Sequence, residues 1–348
     1  MIDITEDSYR EGRRGKKLRP FSSSAEVSHR RCSRPLERAV TDFGSDVPFN
    51  RIPFKMQEHH GITIPISTAR RITLRHGEKV ESFQLSSRSS EMPETPGVPI
   101  VIAQTDGVLV PTVVTTGFSQ DGKKVDKRKN RQVQWREARL SLAHQAESKK
   151  STYAANFNDV KETGRQLFDC VIKSGAGSQT QIHGVGDGAS WITSQFEEQF
   201  GTQASFLIDF FHLCEYLGKA AKSIGEDTSE WLATQKQRMK ENEIRRVLYS
   251  LSFFMENPDV PNEEAPVRAC YRYIDSRPGQ FNYKGALNDG LPIGSGEIES
   301  GNRHVIQDRL KRPGAWWAVE NIQPMLSLRT LRANDNWDNY WFTQSVAA

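Results

Sequence analysis

A glutamate set into the apolar stripe of a helical pattern constrains this chain more than any other feature. The stretch is residues 291–317, LPIGSGEIESGNRHVIQDRLKRPGAWW. Pro292 and Gly294-Ser295-Gly296 mark a loop, and a helix is expected to begin where that loop ends. Arg309, Lys311 and Arg312 fall in the expected last turn, and Pro313-Gly314 stops it. At a helical period Ile298, Val305, Ile306 and Leu310 share one face, and Glu299 falls inside that stripe. Glu297 projects to the opposite side with His304 and Asp308. Desolvating a carboxylate among apolar neighbours is costly unless a positive charge compensates it. Two readings meet that demand: a salt bridge to Arg303 at i+4, or a site where a partner charge or a metal sits.

The rest of the chain offers partners for such a site. Residues 98–105, VPIVIAQT, form a short apolar run that ends in Asp106-Gly107, and residues 109–115 read as a second strand. Residues 135–142 alternate like a third strand, and residues 158–173 carry apolar side chains at helical spacing. Residues 180–185 read as a strand ending in Gly186-Asp187-Gly188, 191–200 as a helix, and 204–208 as a strand ending in Asp209-Phe210-Phe211-His212. Sites in α/β sheets are built at the carboxyl ends of strands. Two Asp at such ends and a Glu on a facing helix suit a pair of hard divalent cations, and such pairs cleave phosphodiesters by in-line displacement.

The motifs TDGVLVP, GDGASWI, DFFHLCEYL, GSGEIESGNRHVIQDRLKRPGAWW and LRANDNWDNYW, in this order, resemble the insertion-sequence transposases of the ISKra type. These are similar to the ISL and Mutator-like groups. The resemblance covers roughly residues 100–341. It implies an α/β fold with a ribonuclease-H-like DDE core over 98–212 and 291–331, and an all-helical insertion over 213–290. The implied catalytic and metal-binding triad is Asp106, Asp187 and Glu299, and Asp209 and His212 match the D-x-x-H element of Mutator-like enzymes. Two Mg²⁺ ions are the implied cofactor, with Mn²⁺ able to substitute. The implied activity is binding of element ends, metal-dependent strand cleavage and strand transfer, without a covalent protein–DNA intermediate. A dimer or larger homo-oligomer on DNA is expected, in the bacterial cytoplasm with the nucleoid. Related proteins carry a longer N-terminal region, sometimes with Cys pairs; only Cys32 stands there in this chain, which reads as a fragment. A structure-selective nuclease on the same fold and a non-catalytic DNA-binding relative are the alternatives.

Charge distribution fits a nucleic-acid partner. The net charge is only +4 over 348 residues. Residues 1–79 hold 16 Lys and Arg against 10 Asp and Glu, whereas the remainder holds 31 against 33, so the positive end is the one expected on DNA. Residues 1–34 are polar, with basic pairs, and read as loose. Residues 35–80 read as helix-turn-helix-like, with a recognition helix over 67–76 that projects Arg70, Arg71 and Arg75. A small helical domain with a solvated basic face is the other reading. Residues 81–97 read as a linker and 332–348 as a C-terminal tail. Cys32, Cys170, Cys214 and Cys270 stand singly, which argues for a reduced compartment and against a zinc knuckle. No apolar run is long enough to span a membrane.

Further residues carry two readings each. Asp-Gly steps at 106 and 187 are common turn signals as well as candidate ligands. His212 either packs at a helix start or works beside the metals. Trp316 and Trp317 form a core pair or stack an extruded base. Lys123, Lys124 and their basic neighbours make a solvated turn or track phosphates. Arg303, Arg309, Lys311 and Arg312 are further candidates for DNA contact.

Overall fold

The apolar runs on either side of Asp106 are one strand, not two. The computed structural model describes residues 6–10, 12, 15, 17–24, 27–28, 32–115, 131–157, 159–225 and 228–346. In it β1 spans Ile100–Thr115. β2 (Arg131–Gln145) pairs with β1 antiparallel without a break, from Val101 opposite Gln145 to Thr115 opposite Arg131. The Asp-Gly step therefore makes no turn. At Gly107 the Glu137 side chain lies where a Cβ would stand, so a larger residue there would displace that carboxylate. β3 (Thr152–Asn156) adds antiparallel to β2, while β4 (Gln181–Gly186) and β5 (Ala204–Ile208) add parallel beyond β1. The sheet order is β3-β2-β1-β4-β5. β3 has no apolar alternation and was not expected. As an edge strand its free groups are covered by amides: Asn334 exchanges two 2.8 Å hydrogen bonds with the Tyr153 backbone, and Gln323 accepts from Phe157 N–H at 3.0 Å.

Residues 34–86 make three helices, α1 (Arg34–Asp46), α2 (Ile52–His60) and α3 (Ile66–Ser86). Gly61, at φ 66°, ends α2. α3 runs ten residues past His76, so 81–86 are helix and not linker. The second half of α3 packs on the helix Ile322–Ala333: Gln84 donates to Ser327 O (3.3 Å) and to Thr330 Oγ1 (3.0 Å), and Gly77 lies against the Pro324 carbonyl with no room for a Cβ. A buried polar chain ties α1 and α3 to the C-terminal helix Trp337–Val346. His76 Nδ1 meets the Tyr340 hydroxyl at 2.7 Å and Nε2 meets Glu37 at 2.9 Å, while Arg75 pairs with Glu37 at 2.5 Å. Burial pushes the His76 pKa below the ordinary imidazole value. Residues 337–346, expected as tail, bury Trp337, Tyr340 and Trp341. The described parts of residues 1–33 form two two-residue ladders and the short helix Pro20–Ser24.

Alternation along β1 divides the core. Val101 and Ala103 face α4 (Val160–Lys173) and α5 (Ser190–Phe200), which connect β3 to β4 and β4 to β5. Ile102 faces α6 (Phe210–Ile224), α7 (Ser229–Lys240), α8 (Ile244–Ser252), α9 (Pro266–Asp275) and α10 (Tyr283–Asn288). Val108 and Val110 face α11 (residues 296–310) and α12 (Ile322–Ala333).

α11 changes pitch. It is α-helical over Gly296–Gly301, π-helical over Asn302–Gln307 and α-helical again over Asp308–Leu310. The wider turn disturbs the carbonyl ladder, and Arg329 from α12 donates to the carbonyls of His304 (2.5 Å) and Val305 (3.0 Å) while pairing with Asp46. A π turn rotates the rest of the helix by about one residue, roughly 100°. Glu299 and Ile306 therefore do not share a face. Glu299 is exposed, which corrects the expectation that it sits in the apolar stripe; Ile298 and Asn302 take the inward positions.

Candidate acidic active site

Parallel pairing of β1 with β4 ends at Ala103 opposite Gly184. Asp106 lies three residues further along β1, and Asp187 follows the last residue of β4. Both residues thus stand at the carboxyl end of the parallel pair, where sites in α/β sheets are built. Asp106 Oδ1 accepts Gly107 N–H (2.7 Å), and Oδ2 accepts Asn302 Nδ2 (2.8 Å). These bonds do not offset its burial. Desolvation, with repulsion from Asp187 and Glu137, pushes its pKa up to about 6. Asp187 Oδ1 accepts Ala189 N–H at 2.8 Å, an Asx turn that starts α5. Its main-chain carbonyl accepts the Tyr273 hydroxyl (2.7 Å), and the Gly188 carbonyl accepts Nε and Nη2 of Arg277 (3.1 Å each). Gly188 stands at φ 78°, and Ile208 fills the space a Cβ would need.

α11 is docked on β1 here at two points. Ile298 N–H donates to Gln104 Oε1 (3.0 Å), and Asn302 reaches Asp106. Gln104 and Asp106 lie two apart on one face of β1, so they meet positions four apart on the helix. Glu299 stands one turn before Asn302 but faces outward. Among the described residues no three Asp, Glu, His or Cys side chains converge to hold a metal ion. The structure brings Asp106 and Asp187 together and leaves Glu299 apart. Two carboxylates that repel each other, beside a buried Asn302 Oδ1 with no hydrogen-bond partner, make a hard-oxygen donor set short of positive charge. That chemistry fits a divalent cation. Glu297 pairs with His144 at 2.7 Å across β2, which lowers the carboxyl pKa and raises that of the imidazole.

Asp209 is not placed as a metal ligand. Its Oδ1 accepts the N–H groups of Phe211 (2.6 Å) and His212 (3.0 Å), and its Oδ2 accepts Ser295 N–H (2.6 Å) and the Ser295 hydroxyl. All four lone-pair positions are used. Asp209 caps α6 and pins the loop that starts α11. His212 packs against Tyr216 and Tyr273, with Nδ1 3.8 Å from Glu215; it does not reach either aspartate directly.

The candidate DNA contacts divide in the same way. Arg70, Arg71, Arg303 and Lys311 are exposed. Arg75 is engaged by Glu37. Arg309, an expected DNA contact, is buried between the rings of Phe49 and Trp317, 4.8 Å from each, and donates to Gly44 O (3.1 Å). Burial pulls its pKa down to about 9. Arg312 bonds the carbonyls of Asp308 and Asp46. Trp317 is a core residue whose Nε1 donates to Leu310 O (3.0 Å), so the base-stacking reading does not hold for it. Lys123 and Lys124 lie outside the described residues. Reading the sequence missed Gln104, Asn302, Tyr273 and Arg277. Asn302 follows Glu299 by one turn, a signal that was available. Tyr273 and Arg277 stand in a segment without motifs.

No helix among the described residues is long and apolar enough to cross a membrane. No curated protein matches the chain. Among solved structures, a chain of the simian T-cell lymphotropic virus intasome in complex with PP2A regulatory subunit B56 gamma aligns over 68% of this chain and 67% of its own. Its identity is 11% and its TM-score 0.18, a similarity too low to bear on fold or function. Residues 121–339, well over half of the chain, match the model of an uncharacterised protein family, and the chain belongs to that family, UPF0236.

Proposed function

We propose that this chain is a DNA transposase whose ribonuclease-H-like core cleaves and joins DNA strands with divalent metal ions, as its resemblance to ISKra-type enzymes implies. One observation carries the reading: Asp106 and Asp187 stand at the ends of neighbouring strands, close enough for Asp187 to repel the half-buried Asp106 carboxylate. The sheet order β3-β2-β1-β4-β5, with β2 antiparallel and helices after β3 and β4, supports the core assignment. The helices between α6 and α11 correspond to the proposed insertion.

Asp106 and Asp187 would hold the ions, and Asn302 would orient the Asp106 carboxylate. Glu299 is the third carboxylate that the resemblance implies; it stands one turn before Asn302, which touches Asp106, with its own side chain exposed. Bound Mg²⁺ would activate water or a 3′-hydroxyl and stabilise the leaving 3′-oxygen. Arg70 and Arg71 would lie on phosphates.

A second reading, a DNA-binding relative without catalysis, is favoured by the separation of Glu299 from the two aspartates. The test uses duplexes that carry the inverted repeats flanking the reading frame, with a supercoiled target and Mg²⁺. Joined products support a transposase, cutting without joining indicates a nuclease, and binding without cutting indicates the inactive relative.

A further inference from the structure

We propose that Tyr273, on α9, and Arg277, in the turn just after it, are positioning residues for Asp187: they fix the peptide turn from which its carboxylate projects. The inference rests on the reading of Asp106 and Asp187 as a divalent-cation site.

The turn is short and has little of its own to hold it. Gly188 occupies a left-handed conformation that other residues rarely adopt, and the carbonyls of residues 187 and 188 leave the strand ladder at the end of β4. The end of α9 and the residues after it supply what the ladder does not. Tyr273 stands in the last turn of α9, and Arg277 follows the helix end, where its Nη1 donates to the Tyr273 carbonyl (3.0 Å). Tyr273 donates to the carbonyl of Asp187 (2.7 Å) and Arg277 makes a forked contact with the carbonyl of Gly188 (3.1 Å twice). Three hydrogen bonds from the C-terminal end of α9 and the turn after it therefore hold two consecutive peptide groups.

The holders are themselves rigid. Tyr273 is 6% exposed and lies flat on Tyr216, with centroids 4.0 Å apart and planes 12° apart. The Arg277 guanidinium sits over the other part of the stack, 4.2 Å from the Tyr273 centroid, and His212 meets the same ring edge-on at 6.0 Å. This stack joins α6, which Asp209 caps at the end of β5, to α9 and to the Asp187 turn. A carboxylate that must meet a metal within a few tenths of an ångström needs such an outer shell, and losing an outer-shell partner typically costs 10–100-fold in metal affinity.

The test measures Mn²⁺ binding to the full chain by electron paramagnetic resonance, alongside thermal unfolding and amide exchange of residues 186–191. Wild type is expected to bind Mn²⁺ and Asp187→Asn to lose that binding. Tyr273→Phe, which keeps the ring stack, and Arg277→Gln are each expected to weaken Mn²⁺ binding about 10-fold. Both should raise amide exchange of the turn. Arg277→Lys, which keeps a donor, should recover part of the loss. In cleavage the half-saturating Mg²⁺ should rise while kcat at saturating metal changes little. A role confined to packing would lower the melting temperature and leave Mn²⁺ affinity unchanged, and that result overturns the inference while the acidic site stands. If wild type itself binds no Mn²⁺, the acidic-site reading fails and this inference with it. If Arg277→Gln does not fold, Tyr273→Phe decides.

Discussion

Asp106 is held where ionising it is unfavourable. Its folded pKa of about 6 lies above the ordinary 3.8, so the sign of the linkage is set. Below pH 3.8 the carboxyl is protonated in both states. Between that value and about 6 the folded chain keeps a proton that the unfolded chain loses. The stability this group contributes is therefore complete below the unfolded pKa and lost as pH rises through about 6, at most about 3 kcal/mol. Urea unfolding across this window should show wild type losing stability relative to Asp106→Asn, in which the dependence is absent. Mg²⁺ should raise the wild-type midpoint near neutral pH and have little effect near pH 4. A parallel pH profile for the two proteins contradicts the assignment. Asp209→Ala leaves three N–H donors and one hydroxyl without their acceptor, and the loss of a buried charged acceptor costs about 2–4 kcal/mol. The expectation is a clear fall in the urea midpoint, with loss of activity only in proportion to unfolding.

α11 shows how far element-scale reading goes. Its start after Gly294-Ser295-Gly296 and its end before Pro313-Gly314 follow from local residue chemistry, and both were legible. So were the middle of β2, read over residues 135–142, the strands read over 180–185 and 204–208, and the helices around them, because their apolar patterns have clear periods. The facing of Glu299 was not legible, since a helical wheel assumes a constant pitch and the π turn over Asn302–Gln307 breaks it. Nothing in NRHVIQ announces that turn. Its partner, Arg329, comes from another helix. The continuity of β1 through Asp106-Gly107 was hidden for a similar reason: whether Asp-Gly turns depends on the strand opposite. Of the site, the two aspartates were legible as a pair, and the residues that hold them were not. Arg329→Gln removes the charged donor from the carbonyls of His304 and Val305. It should lower stability by about 2 kcal/mol and raise amide exchange within 302–307, measured by mass spectrometry. Unchanged exchange there would mean that the π turn holds itself.

At the scale of the molecule, the N-terminal helices are not a removable module. α3 packs along α12, Arg309 lies between Phe49 and Trp317, and His76 joins Glu37 to Tyr340. Removing residues 1–80 would expose those faces, so the shortened chain is expected to unfold or aggregate. This replaces the expectation of a helix-turn-helix-like segment over 35–80 set off from the core by a linker over 81–97. DNA binding is better tested on the intact chain. Arg70→Ala and Arg71→Ala should leave the melting temperature unchanged and each lower the salt slope of DNA binding by about one, read from affinity against salt. Unchanged slopes would move the DNA-binding face away from α3. The central claim is that Asp106 and Asp187 form a divalent-cation site for DNA strand cleavage. Single-turnover cleavage of inverted-repeat duplexes in Mg²⁺, for wild type beside Asp106→Asn, Asp187→Asn, Glu299→Gln and Glu297→Gln, tests it most directly. Wild type and Glu297→Gln are expected to cut while the other three bind the duplex and do not. Cleavage that survives Asp106→Asn or Asp187→Asn would contradict the account.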